Sequence, residues 1–428
     1  MAQIRDPIHG SIEVSADEVA LIDAPWYQRL RNVMQLGFTV LAFPGGTHTR
    51  YTHGIGAMQV ASRIFDNLPT QSLPPEDRAR FRQALRIAVL THDIGHAPLS
   101  HASESIMCQR PKLKLPAWTG DADRRANHED YTLKILLDSE FAQNIDDRFG
   151  DIGITPQAIA SLVTGRHAPG QEAAFVSGTT DWSPLLRQIV SSELDADRMD
   201  YLQRDSFYTG VSYGRFDLDW LATNLTVAER DGAAFLALAK RAIFAFEDFL
   251  LSRYHMFVSV YYHYTPICFD TMLKRYYDEA PGEYEISSDI EKYLDQDDIS
   301  LTSALRASKN RWAQAIVRRR PWRMVAEIND FDRGYDVPAL MKALAAENLE
   351  AFHAESTGVL SKYFQKSEGP RLYVHDSGND RYTPIEEYTP LYERYAKNVR
   401  INRIYVDPEK YDAAKQLVRR ATGANLAT

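Results

Sequence analysis

Residues 90–101 read Leu90-Thr-His-Asp-Ile-Gly-His-Ala-Pro-Leu-Ser-His101, and this stretch decides how the chain is interpreted. It places His92, Asp93, His96 and His101 at the end of an apolar helix and in the turn that follows. Imidazole and carboxylate groups bind divalent first-row metals such as Mn, Fe, Co, Ni and Zn. Four such groups within one segment indicate a metal-dependent hydrolase.

The segment before this stretch has the pattern of a helix that is buried on one side. It begins at Pro74-Pro75 and runs to Leu90, with apolar residues at helical spacing, namely Phe81, Leu85, Ala88 and Val89. Gly95 and Pro98 then end the helical pattern. Metal ligands at the end of a packed helix are held more precisely than ligands on a free loop.

Two distant segments offer the same kinds of side chain. Arg50-Tyr-Thr-His53 opens a helix to about Asn67, although a histidine there, taken alone, is more typical of a helix cap or an exposed surface than of a metal ligand. The helical pattern from Ser183 to Tyr201 continues so that Asp197, Tyr201 and Asp205 share one face. That acidic face is either functional or a solvated face with intrahelical salt bridges.

Composition favours a folded, non-membrane protein. The chain has 428 residues, of which 44% are hydrophobic, and this suits two or three folding units with a sizeable core. The first ten residues lack an apolar signal region, and no run of eighteen uncharged apolar residues occurs. Cys108 and Cys268 stand far apart, so neither a disulfide framework nor a thiolate zinc site is expected. We expect a cytoplasmic protein with no membrane partner.

Charge argues against nonspecific binding of nucleic acid. The formal net charge is -9, whereas such binding depends on neutralising phosphates. The run Arg318-Arg319-Arg320 is compatible with a local basic pocket. Nucleic acid is therefore a disfavoured partner rather than an excluded one. The simpler interpretation of that run is a solvated helix end.

The rest of the chain predicts mostly helices. Helices are expected over Ser15–Asp23 with a capping box, from Pro25 to about Met34, and over Asn127–Leu137. Short strands are expected over Ser11–Val14 and in a hairpin of Leu225–Glu229 with Phe235–Leu238. Residues 111–125 suit an exposed loop. One long aromatic helix is expected over Lys240–Asp278, with Arg253 and His263 as its polar interruptions. Pro266 is expected to kink this helix. Its aromatic stripe is more typical of a core than of a base-stacking platform.

Beyond Pro281 the pattern becomes mixed. Short helices are expected over Leu301–Ala307, Trp312–Arg318 and Pro338–Leu349, and strands over Arg371–Val374 and Ile401–Val406. We therefore divide the chain into residues 1–280, which carry the candidate chemistry, and a smaller C-terminal lobe, residues 281–428.

Nine separated motifs occur in a fixed order. They are Asp6-Pro-Ile-His-Gly10, Gln28-Arg-Leu-Arg31, Gln35-Leu-Gly37, Phe43-Pro-Gly45, Arg50-Tyr-Thr-His53, His92-Asp-Ile-Gly-His96, Ser100-His101, Asn127-His-Glu129 and Asp197-Arg-Met-Asp-Tyr201 with Arg204-Asp205. Over about residues 1–275 this order resembles the dNTP triphosphohydrolase branch of the HD phosphohydrolase superfamily. That branch includes the vertebrate SAM- and HD-domain dNTPase and bacterial dGTPase-like proteins. The resemblance implies a mainly α protein, with an HD-domain helical core, a small β-hairpin and a smaller mixed α+β C-terminal lobe.

The resemblance also implies roles for individual residues. It implies that one divalent metal ion (Mn, Fe, Co, Ni, Zn or Mg) is held by His53, His92, Asp93 and Asp197. It implies that His96, His101 and His128 act on the α-phosphate or bind a second metal, with Glu104 supporting His101. It implies that the nucleotide substrate is bound by Arg50, Arg198, Tyr201, Arg253 and Tyr261, and that the sugar 3′-hydroxyl is read by Gln35 and Asp205.

The activity implied is hydrolysis of a dNTP to a deoxynucleoside and tripolyphosphate, by metal-activated hydroxide attack on the α-phosphate. Asp23, Gln28 and Arg31 match part of the site at which an activating nucleotide binds between subunits, which implies a homo-oligomer, either a dimer or a tetramer. The Arg-Arg pair that the vertebrate enzyme has in its long helix is replaced here by Val258-Ser259. Two alternatives stay open: a nucleotide phosphomonoesterase or phosphodiesterase of the HD type, and a nucleotide-binding regulatory protein.

Overall fold

The computed structural model describes residues 2–120, 123–329, 332, 335–358, 372–388, 399–424 and 426. Its α-helices are α1 Ala16–Ile22, α2 Pro25–Gln28, α3 Arg50–Asn67, α4 Pro75–Thr91, α5 His128–Leu137, α6 Glu140–Phe149, α7 Pro156–Thr164, α8 Ser183–Val190, α9 Ala196–Thr209, α10 Leu218–Thr223, α11 Ile243–Met256, α12 Tyr264–Glu279, α13 Ile290–Leu294, α14 Asp298–Ala307, α15 Arg311–Val317, α16 Val337–Ala346 and α17 Tyr411–Thr422. The expected mainly α fold is confirmed.

The strands form three small sheets. They are β1 Ala2–Asp6, β2 Gly10–Val14, β3 Val176–Ser177, β4 Thr180–Asp181, β5 Leu225–Arg230, β6 Ala233–Ala239, β7 Arg323–Asn329, β8 Ala351–Gly358, β9 Tyr373–Asp376, β10 Arg381–Pro384 and β11 Val399–Val406. β1 pairs with β2. β6 joins β5, β4 and β9 in a second sheet, and β11 lies between β7 and β8 in the third. The hairpin of β5 and β6 is confirmed, and β9 extends it from the C-terminal part of the chain.

Local sequence explains the helix starts that position the site. Ser15 caps α1 in a capping box with Glu18, and Asn127 caps α5 in the same way with Asp130. α4 begins with Pro75 and carries acidic residues in its first turn, which suits the exposed N–H groups there.

The main core forms around α3 and α4, which pack on each other, with α9 against α3 and with α7 and α8 against α4. Gly54 of α3 permits this close packing. A Cβ atom there would lie 2.6 Å from the Tyr27 hydroxyl oxygen and 3.0 Å from the Leu90 carbonyl oxygen. The start of α3 therefore lies directly beside the end of α4.

Three expected helices are wrong in their extent. The helix from Pro25 ends as α-helix at Gln28 and continues only as a 3₁₀ turn to Asn32, so Met34 lies outside it and bridges Thr49. The pattern from Ser183 to Tyr201 is two helices, because Asp195 caps α9 and breaks the run.

The long aromatic helix is also two helices. α11 continues into a π-helical turn at residues 257–261. The helix is then interrupted at Tyr262 and His263, and it is not kinked at Pro266. Pro266 lies in the first turn of α12, where the missing N–H is tolerated.

The C-terminal elements agree in part with expectation. The three short helices and the strand at Ile401–Val406 are present, within one to three residues at each end. The other expected strand begins at Tyr373, and Arg371 lies outside the described residues. In the C-terminal part, β7, β8, β10, α13 and α17 were not expected. Nor were β1, β3, β4, α6, α7 and α10. The division of the chain at residue 280 stays a prediction. Within the described part of the chain, no helix is both long and apolar enough to cross a bilayer.

Candidate metal centre

Four side chains from three helix ends meet at one point. His53 lies in the first turn of α3, His92 and Asp93 follow α4, and Asp197 lies in the first turn of α9. Asp197 Oδ1 is 3.0 Å from His53 Nε2 and 3.5 Å from His92 Nε2. Asp93 is 3.7 Å from His53 Nε2 through Oδ2 and 3.4 Å from His92 Nε2 through Oδ1. The expected metal ligands are thus brought together.

The two imidazoles are oriented by their other nitrogen. His92 Nδ1 donates to the Val89 carbonyl oxygen at 2.6 Å, and His53 Nδ1 donates to Asp200 Oδ2 at 2.8 Å. These bonds use the Nδ1 proton of each ring and turn Nε2 toward the two carboxylates. Both Nε2 atoms are buried and have no hydrogen-bond partner among the described residues. A metal ion that displaces the proton on these nitrogens would give each of them a partner.

Asp200 anchors this arrangement and was not assigned a role from sequence. It accepts from His9 Nε2 at 2.6 Å and from Arg204 through two bonds of 2.8 Å, and Arg204 also donates to Asp6 at 2.8 Å. Burial works against the Asp200 carboxylate, but Arg204 and the two histidines outweigh it and hold its pKa well below the usual value. The N-terminal hairpin is thereby bonded to the residue that orients His53.

The close approach of these groups depends on Gly56. A Cβ atom on Gly56 would lie 2.0 Å from Arg204 Nη2 and 2.2 Å from Asp200 Oδ1. The sequence did carry a signal for this network, because Asp200 and Arg204 are one helical turn apart within a matched motif, and Asp6 and His9 belong to another.

The donor set fits a divalent metal. Metal–nitrogen and metal–oxygen bonds of about 2.0–2.2 Å put neighbouring ligands roughly 3 Å apart, close to the separations found here. Burial works against a charge on either imidazole, yet the carboxylates of Asp197 and Asp200 raise the pKa of His53 to about 10, and those of Asp93 and Asp197 raise that of His92 to about 9. The site therefore stabilises positive charge. His53, His92 and Asp93 form one group able to hold a metal ion, and Asp197 borders it.

A second group of three histidines and one glutamate lies beside the first. His96, His101, Glu104 and His128 bring their ligand atoms together, and Glu104 Oε1 accepts from Nδ1 of both His101 and His128. The His96 and His128 rings stack with centroids 3.9 Å apart. His96 Nε2 is 3.3 Å from Asp93 Oδ1, so the two groups adjoin.

The histidines of this second group favour different charge states. Burial, Arg50 and His128 hold the pKa of His96 well below its usual value, which keeps it neutral. Burial also opposes charge on His128, but Glu104 and Asp93 outweigh it and raise the His128 pKa. A histidine that favours the neutral form stacked on one whose pKa is raised suits an acid–base pair or an anion site.

The expected phosphate-binding arginines are paired with carboxylates. Arg50 pairs with Asp93 and donates to Ser100 Oγ at 3.0 Å. Arg198 pairs with Asp195, the cap of its own helix. Arg253 Nη1 donates to Glu193 Oε2 at 2.9 Å. None of these partners was expected.

The remaining pocket residues extend from the metal group along α9. The Tyr201 ring lies 6.4 Å from the His53 ring and 6.2 Å from the Tyr261 ring. Asp205 accepts from the Tyr261 hydroxyl at 2.7 Å and from His48 Nε2 at 2.7 Å. The buried Gln35 donates its backbone N–H to the His48 carbonyl oxygen at 3.1 Å, and its Oε1 has no hydrogen-bond partner among the described residues. His48 is a residue that sequence reasoning missed.

The three residues expected to bind an activating nucleotide are neighbours. Arg31 Nε donates to Gln28 Oε1 at 2.7 Å and stacks over Tyr51, and Gln28 donates to the Ile22 carbonyl oxygen. Asp23 is exposed at the end of α1. Their role stays a prediction.

Comparison with known proteins agrees with this geometry. Residues 50–205 match the HD domain, and residues 216–359 match the HD associated region. The chain belongs to the HD-domain family. The chain is also similar to the following relatives and to one solved structure.

A deoxynucleoside triphosphate triphosphohydrolase SAMHD1 homologue of Dictyostelium discoideum is 31% identical over 67% of this chain and 51% of that protein. The human deoxynucleoside triphosphate triphosphohydrolase SAMHD1 is 27% identical over 67% of this chain and 46% of that protein. An uncharacterised protein of Methanocaldococcus jannaschii is 31% identical over 78% of this chain and 61% of that protein. The chain thus spans about half to three-fifths of the length of these relatives. The crystal structure of a hypothetical protein from Aquifex aeolicus superposes with a TM-score of 0.76 at 25% identity, over 97% of this chain and 99% of that one.

Proposed function

We propose that the protein hydrolyses deoxynucleoside triphosphates to a deoxynucleoside and tripolyphosphate with the help of one divalent metal ion. The observation that carries the proposal is the pair of buried Nε2 atoms, on His53 and His92, that lack hydrogen-bond partners among the described residues and face Asp93 and Asp197. When bound there, a divalent metal lowers the pKa of a coordinated water and polarises a phosphoryl oxygen.

The histidine–glutamate group supplies the proton chemistry. His101 is largely exposed and is held by Glu104, so it is free to meet the leaving 5′-oxygen and to donate a proton to it. His128, whose raised pKa favours the imidazolium form, places a positive charge beside Asp93 where phosphate charge develops. Neutral His96 packs against both rings.

The other side chains bind and orient the nucleotide. Arg50, Arg198 and Arg253 hold the phosphates after exchanging their carboxylate partners for phosphate oxygens. Gln35 and Asp205 bind the sugar 3′-hydroxyl, with His48 and Tyr261 fixing the Asp205 carboxylate. Tyr201 lies between the metal group and the sugar end. A homo-oligomer activated by nucleotide at Asp23, Gln28 and Arg31 is part of the same proposal.

One observation favours a second candidate. Because Arg198 and Arg253 are already neutralised by Asp195 and Glu193, the pocket offers less uncompensated charge to a triphosphate than three arginines suggest. A nucleotide phosphomonoesterase or phosphodiesterase needs fewer phosphate contacts at the same metal group.

Product analysis separates the candidates. The purified protein is incubated with dNTPs, dNMPs and cyclic dinucleotides in Mn, Fe, Co or Mg, and products are identified by ³¹P NMR. Tripolyphosphate from dNTPs supports the proposal, and orthophosphate from dNMPs or opened cyclic dinucleotides supports the second candidate. Metal binding without turnover of any nucleotide supports a regulatory protein.

A further inference from the structure

One carboxylate from the HD associated region reaches into the HD domain. Asp298, the first residue of α14, accepts from the Leu99 backbone N–H at 2.6 Å through Oδ1 and from the Met34 backbone N–H at 2.9 Å through Oδ2. In the described part of the chain, neither N–H donates to a backbone carbonyl. Asp298 is therefore what satisfies both amides.

The two loops that meet at Asp298 carry residues of the candidate site. Met34 precedes Gln35, and Leu99 precedes Ser100 and His101. The Ser100 hydroxyl donates to the Met34 carbonyl oxygen at 2.7 Å and accepts from Arg50 Nε at 3.0 Å. Asp298, the two loops and Arg50 thus form a continuous chain of hydrogen bonds that ends at Asp93.

The loop after the HD motif needs such a support. Leu99 and Ser100 both have φ of 55°, a left-handed conformation that is unfavourable for residues with a Cβ atom. Gly37 brings the other loop close, because a Cβ atom there would lie 3.0 Å from the Leu99 carbonyl oxygen. Such a conformation persists only where surrounding contacts hold it.

The residues just before Asp298 contact the same face. The Tyr293 hydroxyl donates to the Gly95 carbonyl oxygen at 2.8 Å, within the turn between His92 and His96. Arg29 donates through Nε at 2.8 Å to the Gln296 carbonyl oxygen and lies over the Tyr293 ring. The segment from Tyr293 to Asp298 is thus bonded both to the HD domain and to the segment that precedes it.

From this arrangement we propose that Asp298 is a positioning residue of the hydrolytic site: it ties the Met34 and Leu99 loops together and so fixes His101 and Arg50 relative to Asp93. This proposal rests on the hydrolytic function proposed above. It assigns the HD associated region a direct part in building the catalytic pocket. Asp298 touches neither substrate nor metal ligands and acts only through the two loops.

The test uses Asp298→Asn, which keeps the side-chain size and loses one of two acceptor oxygens. Asp297→Asn is the matched control, because Asp297 caps α14 by accepting from the Ile299 and Ser300 N–H groups and bonds neither loop. Hydrogen exchange is followed by mass spectrometry over peptides that contain Met34 and Leu99. Metal content, kcat and KM are measured on the same samples.

Asp298→Asn is expected to speed exchange in these two peptides about tenfold or more, to lower kcat about 10- to 100-fold, and to leave metal content and KM nearly unchanged. Asp297→Asn is expected to show neither effect, because asparagine caps a helix about as well as aspartate. Unchanged exchange in Asp298→Asn, or equal kcat in the two variants, overturns the proposal.

Exchange also separates this proposal from the proposed function. If the unaltered protein hydrolyses no nucleotide, the proposed function fails, while faster exchange in Asp298→Asn alone still supports the tie between the loops. If Asp298→Asn is poorly folded, Ser100→Ala breaks the next bond in the chain. It should then lower kcat with the Leu99 amide still protected, and an unchanged kcat contradicts the positioning role.

Discussion

The metal group and the arginines of the same pocket differ in how they are held. His53 and His92 are fixed through Nδ1 by Asp200 and by the Val89 carbonyl oxygen, and their Nε2 atoms have no hydrogen-bond partner in the described structure. Arg198 and Arg253 instead pair with Asp195 and Glu193. One end of the pocket is therefore preorganised for its ligand, whereas the other must exchange buried ion pairs when a phosphate arrives.

Asp197→Ala breaks the preorganised end and should have the largest effect. Removing the carboxylate that faces both Nε2 atoms is expected to abolish stoichiometric metal and to lower turnover by more than about 10³-fold. Metal analysis and nucleotide hydrolysis measure this. Asp219→Ala, which removes an exposed carboxylate paired with Arg63, is the control and should change neither quantity.

Glu104→Gln tests whether proton chemistry is separate from metal binding. The amide no longer holds His101 and His128 as a carboxylate does, so kcat should fall about 10²- to 10³-fold while metal content stays at the level of the unaltered protein. Glu129→Gln, next to His128, is the matched control. Loss of metal in Glu104→Gln would place this group among the ligands of the first ion.

Metal affinity should depend steeply on pH. In the metal-free protein, burial opposes charge, but nearby carboxylates raise the pKa of His53 to about 10 and that of His92 to about 9. Metal must displace these protons, so apparent affinity should rise with pH by up to about 100-fold per unit below pH 9 and level off above pH 10. Calorimetric titration in several buffers counts the protons released. A flat profile would show that these imidazoles are not ligands.

Asp200→Asn should weaken the preorganisation without removing a ligand. Metal affinity is expected to fall about 10- to 100-fold, because His53 loses the acceptor that fixes its ring. Asp130→Asn, another buried carboxylate paired with an arginine, controls for the stability lost when a buried ion pair is broken. Equal metal affinity in the two variants would mean that the Asp200 network is purely structural.

Arg198→Ala should have the smallest effect, because its ion pair is already satisfied. KM for a dNTP should rise about tenfold while KM for a dNMP stays unchanged, as expected for the loss of one charge-assisted bond to the outer phosphates. In the double variant Arg198→Ala with Asp195→Asn, the carboxylate that would be left unpaired is also neutralised. This double variant should show the same change in KM as Arg198→Ala alone. An equal rise for both substrates would argue against a triphosphate contact.

The same contrast shows what sequence could predict. The order of the motifs grouped His53, His92, Asp93 and Asp197 correctly. This was possible because the residue type itself identifies a metal ligand, and the helix ends fix where each ligand points. The break at Asp195 was missed because the apolar spacing of α8 runs on into α9, and only the capping bond shows the break.

The carboxylates that pair with the arginines could not be predicted from the sequence, for a different reason. A buried guanidinium pairs with whichever carboxylate the fold brings near, and Glu193, between α8 and α9, accepts from Arg253 on α11. Asp298 is a similar case, because its contacts join loops that lie far from it in the chain. Ligands marked by residue type and motif order were therefore predictable, and pairings set by packing were not.

Anomalous X-ray diffraction from crystals grown with Mn²⁺ locates the bound metal. One strong anomalous peak is expected within bonding distance, about 2.0–2.3 Å, of His53 Nε2, His92 Nε2 and carboxylate oxygens of Asp93 and Asp197. A peak elsewhere, or none among these four side chains at saturating Mn²⁺, would contradict this metal site.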